Sequence, residues 1–236
     1  MFLPNVSQWG ESARSSPVYL ALEAGLDFFQ DHVLTHHDIP SKTASPTHEN
    51  ATDVIAAIHH LTAITFRLPL HVLQSIARTA VEPMSPRTTE LINSWASEEA
   101  GRVARQTAYH AGQLLRITMQ GTGDTPHEST TLFYATLALL AFIQKSSSLS
   151  TQTSDGASGK RIELDRIVNR HEFAISEWID TGKGIPALGQ IGPLAERGAA
   201  EKMLQLSRDK LAQGRVWRIG ELLSKQLALK IAEEQT

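Results

Sequence analysis

Histidines beside glutamates and beside one another are the residues here with the most chemical potential. His48-Glu49, His127-Glu128 and His171-Glu172 each begin the HExxH pattern, which sets two zinc ligands one helical turn apart with the glutamate as base. Thr52, Thr131 and Ile175 stand where the second histidine belongs, so none completes it. His36-His37 and His59-His60 are adjacent pairs. Neighbours on a helix point roughly 100° apart, whereas one helix chelates an ion through i,i+4 spacing. These residues read as surface or capping histidines. His110, inside the string YHAGQLLR, reads as a core histidine bonded to a carbonyl or a nearby loop. No metal ligand, cofactor-binding residue or catalytic residue is assigned.

Other chemistry is no better supported. The chain has no cysteine, which excludes a cysteine-built zinc module, a thiolate nucleophile and a disulfide from this polypeptide. Glu98 and Glu99 face different directions on a helix and read as a solvated face. Gly121-Thr122-Gly123 and Gly182-Lys183-Gly184 complete neither phosphate-loop pattern, and no GxSxG places a serine on a nucleophile elbow. Arg102, Arg105 and Arg116 lie on one helix, where intrahelical pairing with Glu98 and Glu99 accounts for the first two. A formal net charge of −3 gives no electrostatic footprint for nucleic acid. The N-terminus carries no secretory pattern, and the most apolar run, Leu132 to Ile143, falls short of the roughly 20 residues a bilayer span needs. The sequons at Asn5 and Asn50 read as chance matches.

The elements that position these residues are helical. Residues 1–16 form an irregular lead-in, and residues 17–236 a single helical domain. Ser16 caps a first helix at Pro17, with Val18, Leu22, Leu26 and Phe29 as its apolar face. After a flexible loop near 39–50, a second helix opens at Asp53 with Ile55, Ile58, Leu61 and Ile64 or Thr65 on one side. Pro69 ends it and a third follows. The longest pattern starts at Pro86 and runs through Trp95, Thr107, Ala111, Leu114 and Ile117 to a break at Gly121. Ala104, Ala108, Ala111 and Gly112 are small and helically spaced, which lets a neighbouring backbone come close. The helix from Pro126 is apolar all round beyond Leu132 and belongs at the centre of a bundle. A second flexible loop lies near 145–160, followed by a short extended piece at RIELDRIV. A helix at His171–Ile179, a loop through GKGIPALGQIGP and two C-terminal helices complete the chain, with no βαβ alternation. The fold class is all-α, an irregular bundle of about seven to nine helices with long loops.

The strings AxHAGQLLR, ESxxLFYATLALLAF, ALxxIGPLxERGAAEKML and GRVWRIGELLSKQLA resemble the latter part of the fungal-specific transcription factor regulatory domain. That is the helical region downstream of Zn2Cys6 or C2H2 zinc fingers, and the resemblance runs from about Trp95 to the end. It implies a non-enzymatic, nuclear regulatory domain (cytoplasmic otherwise) working through protein partners or a separate DNA-binding subunit, with a small-molecule effector possible. The family's cysteine-rich finger has no counterpart here, so direct nucleic-acid binding is not expected of this chain. Nor is a membrane partner. The family-like motif rests on a packed helix pair, with His110, Gly112, Leu114, Leu115, Phe133, Tyr134 and Leu137 as its structural core. Two other readings stand beside it. An effector-sensing domain requires a closed apolar cavity beside Tyr109, Phe133 or Trp178. An all-α biosynthetic enzyme requires polar side chains converging around His59, His60, His110 and Glu98.

Overall fold

Serine followed by proline starts two of the helices in the same way. Ser16 Oγ accepts from the Tyr19 backbone N–H at 3.2 Å, with Pro17 at the first helical position. Ser85 Oγ accepts from Thr88 N–H at 3.2 Å ahead of Pro86. Each serine satisfies one orphan N–H, and the proline supplies a helical φ where its missing donor costs nothing. The computed structural model describes residues 16–34, 46–79, 82–97, 101–121, 126–150, 160–166, 173–213 and 218–234. The lead-in, most of both predicted loops, His36-His37, Glu98-Glu99 and His171-Glu172 lie outside the described residues.

Among the described residues the chain is an all-α bundle of nine α-helices with one small sheet. The helices are α1 (Pro17–Phe29), α2 (Pro46–Arg67), α3 (Leu70–Arg78), α4 (Pro86–Trp95), α5 (Gly101–Gln120), α6 (Pro126–Ser150), α7 (Phe173–Thr181), α8 (Ala199–Gln213) and α9 (Arg218–Glu234). A π-helical turn, Gln30–Leu34, continues α1. The sheet comprises β1 (Arg161–Glu163), β2 (Ile185–Leu188) and β3 (Gly192–Pro193) in that order.

α6 occupies the centre expected of it. Leu137, Ala138, Leu139 and Leu140 have no exposed surface, and the helix packs against α2, α3, α5, α8 and α9. It reaches Ser150, and α2 begins at Pro46, so both predicted loops give up residues to helix. Packing of a long apolar face outweighs the weak helix preference of Ser and Thr at the ends.

The sequence places α4 and α5 in one helix, and the structure divides them. Trp95 Nε1 donates to Thr107 Oγ1 at 3.4 Å. Twelve residues of unbroken helix would hold those residues about 18 Å apart. Ala96, at φ −96° and ψ 0°, turns the chain so that the indole folds back onto α5. The predicted βαβ-free chain is corrected too. β1 pairs in parallel with β2 (Arg161 opposite Ile185, Glu163 opposite Ala187), and α7 lies in the crossover between them. β2 then turns back on β3, with Leu188 opposite Gly192. Gly182 at φ +75° and Gly184 at φ +126° make the tight passage from α7 into β2, a conformation side chains resist.

Two apolar faces are corrected. In α1 the buried side carries Tyr19, Glu23, Leu26 and Gln30, whereas Val18 is 64% exposed and Leu22 50%. Tyr19 stacks on Phe66 with ring centroids 4.4 Å apart, and Glu23 and Gln30 find partners across the interface. In α2 Ala57, His60, Ile64 and Arg67 face inward, while Ile58 is 57% exposed and Ile55 also faces out. Inward polar side chains with partners displaced the isoleucines from the expected stripe.

Candidate polar site between the second and fifth helices

α5 presents two opposite faces. At roughly 100° per residue, Gln106, His110 and Gln113 fall on one side, and Ala104, Ala108, Ala111 and Leu115 on the other. All of these are buried. On this side Gln106 and His110 meet α2, and Gln113 meets the segment after β1.

His60 Nδ1 lies 3.0 Å from His110 Nδ1, a hydrogen bond in which one ring donates and the other accepts. His59 completes the cluster, edge-on to both rings, with centroids 5.2 Å from His60 and 5.7 Å from His110. One nitrogen from each of the three rings lies within 4.8 Å of the others, and all three residues are buried. Phe29 at the end of α1 stacks on His59 at 5.4 Å. Burial first, then His59, then Arg116 hold His60 well below the ordinary histidine range. Its imidazole is therefore neutral at neutral pH.

The polar layer extends along both helices. Arg67, with no exposed side-chain surface, donates to Gln106 Oε1 at 3.2 Å and to the Ala63 carbonyl at 3.0 Å, and pairs with Glu23 at 3.4 Å. Gln30, in the π-helical turn, donates to the Tyr109 hydroxyl at 3.1 Å. Gln106 Nε2 and Gln30 Oε1 are buried and meet no hydrogen-bond partner among the described residues. Half-satisfied amides are costly in an interior.

The residues assigned to the family-like motif distribute differently from expectation. Leu114, Leu115, Phe133 and Leu137 are buried, Tyr134 only partly. His110 is hydrogen-bonded to a second histidine, His60. Gly112 is a close-approach position, but its neighbour is the chain just after β1. A Cβ there would sit 2.6 Å from Leu164 Cβ and 2.7 Å from the Leu164 carbonyl oxygen. Gln113 clamps the same segment, donating to the carbonyls of Leu164 and Arg166 at 2.8 Å each. Arg102 and Arg105 are likewise redirected. Arg102 pairs with Asp180 at 2.8 Å, and Arg105 donates to the Ile179 and Asp180 carbonyls, a cationic cap on the C-terminus of α7.

The sequence names His59-His60 as an adjacent pair and sets His110 beside them only as a requirement of the enzyme reading; their convergence is not legible locally because His110 stands 50 residues from His60. The one local signal was that His60 shares a helical face with Ala57, Ile64 and Arg67. Two clefts lie elsewhere. One of about 160 Å³ is lined by Leu115, Arg116, Met119, Asp165 and Ile191, and one of about 220 Å³ by residues around β1. Both are smaller than the roughly 300 Å³ at which small-molecule pockets begin, and neither touches Tyr109, Phe133 or Trp178. No described helix is long and apolar enough to cross a membrane. Compared with protein-family models, with curated proteins and with solved structures, the chain matches none.

Proposed function

We propose that the chain is a non-enzymatic, helical regulatory domain acting through protein contacts, of the kind found in fungal transcription factors. The observation that carries this reading is the placement of apolar surface. Val18, Leu20, Leu22 and Phe28 of the single helix α1 are each at least half exposed, and Ile55 and Ile58 of α2 face solvent as well. Scattered exposed leucines are ordinary, whereas Val18 and Leu22, one turn apart on the same side of α1, suit a partner-binding surface. The strings behind the resemblance lend support of another kind. They fall on α5, α6, the segment from β2 through α8 and, in its described part, α9, which supply much of the buried core. A nucleus, a separate DNA-binding subunit and partner proteins are the setting this reading entails.

The test is a reporter assay with residues 1–236 fused to a foreign DNA-binding domain. Transcription is expected to rise or fall relative to that DNA-binding domain alone, and to return to baseline in a Val18→Asp/Leu22→Asp variant that keeps the wild-type melting temperature. A reporter indifferent to the fusion, at equal nuclear protein level, would overturn the proposal.

A further inference from the structure

We propose that His59, His60 and His110 bind a divalent zinc-type transition-metal ion between α2 and α5. The cluster already has the composition of such a site: three imidazoles from two helices, one nitrogen of each within 4.8 Å of the others. Zinc–imidazole bonds of about 2.0–2.1 Å at tetrahedral angles place ligand nitrogens roughly 3.3–3.4 Å apart. His60 Nδ1 and His110 Nδ1 stand at 3.0 Å, so a few tenths of an ångström of ring movement opens the first edge. The third donor, within 4.8 Å of the other two, must swing inward to complete the triangle.

The protonation states fit. A metal takes the neutral imidazole, and the Nδ1–Nδ1 hydrogen bond already requires one ring with a bare Nδ1 lone pair. In the metal-free cluster one proton lies between the two Nδ1 atoms. On metal binding that proton moves to Nε2 of the same ring, so both rings stay neutral and both Nδ1 lone pairs face the ion. All-nitrogen donors select zinc, cobalt, nickel or copper over magnesium and calcium, which take oxygen. Three protein ligands leave a fourth position for a water-derived oxygen. The buried, half-satisfied amides of Gln30 and Gln106 show that this interior already holds polar groups.

The experiment uses the full chain and cobalt(II), whose visible bands are strong in four-coordinate nitrogen sites and weak in octahedral water. The proposal expects strong bands saturating at one cobalt per chain. Zinc should displace the cobalt and bleach those bands, while magnesium leaves them unchanged. His60→Gln and His110→Gln should abolish the bands, and His71→Gln, an exposed histidine on α3, should retain them. Absent or weak bands in the wild-type chain would overturn the proposal whether or not the variants fold. So would strong bands that survive in a folded His60→Gln protein. Neither result depends on whether the chain regulates transcription.

Discussion

The two faces of α5 hold their neighbours by different physics. On one, Ala104, Ala108, Ala111 and Leu115 are buried by size and shape, and Gly112 beside them lets the Leu164 backbone come within side-chain distance. On the other, His110 and Gln106 are buried by pairing, with His60 at 3.0 Å and Arg67 at 3.2 Å. An apolar face responds to volume and is indifferent to pH. A polar face responds to protons and ligands, because each buried group was brought in at the cost of its water. One helix thus joins a rigid packing seam to a seam that solution conditions can address.

The sharpest ways to break this contrast start on the apolar side. Leu115 is buried on that side, so Leu115→Ala should cost about 2–5 kcal/mol in a denaturant melt, nearly the same at pH 5.5 and 8. A cost that varied strongly with pH would mean the two seams are not separate. Gly112→Ala comes next, at roughly 1–3 kcal/mol, because the new methyl meets Leu164 backbone rather than a flexible side-chain tip. An unchanged melt would show that the β1 segment yields easily.

The polar face supplies the middle-sized effect. His60 has its folded-state pKa depressed, with His59, His110 and Arg116 around it, so the unfolded chain binds the proton more readily. Its contribution to stability is complete above the unfolded histidine value near 6.5 and is lost as pH falls toward the depressed folded value. As pH falls below about 6.5 the wild-type stability should decline, with a slope for this one group that steepens toward at most ~1.4 kcal/mol per pH unit, and His60→Gln should flatten that slope. An equal acid slope in the variant would remove His60 as its source. The smallest effect belongs to the rim. Arg102 and Asp180 are each more than half exposed, and Arg102→Ala should cost about 0.2–1 kcal/mol, falling further in high salt.

The contrast also explains what could be read from the residues in order. The Leu132–Ile143 run announced a central helix because a segment apolar all round has only one place to go. Ser16-Pro17 marked its helix start for an equally local reason. The inward face of α2 was illegible because Ile55 and Ile58 drew the eye, while His60 and Arg67 are buried only by virtue of His110, Gln106 and Glu23 on other helices. The sheet was hidden because strands of two to four residues carry no period. Gly112 was recognisable as a close-approach residue, but its partner was not, since nothing near it in the chain names Leu164. Local signals reveal the apolar seam, and only long-range pairing creates the polar one.

The most direct measurement is the thermal midpoint of the wild-type, Gly112→Ala and His110→Gln chains, each with and without zinc at pH 7.5. A ligand that binds only the folded state raises stability by RT ln(1 + [L]/Kd), whatever the starting stability. Zinc should therefore raise the wild-type and Gly112→Ala midpoints by similar amounts, although the second begins lower, and leave His110→Gln unmoved. A shift shared by all three proteins, or absent from the wild type, would contradict a ligand-responsive histidine seam on α5.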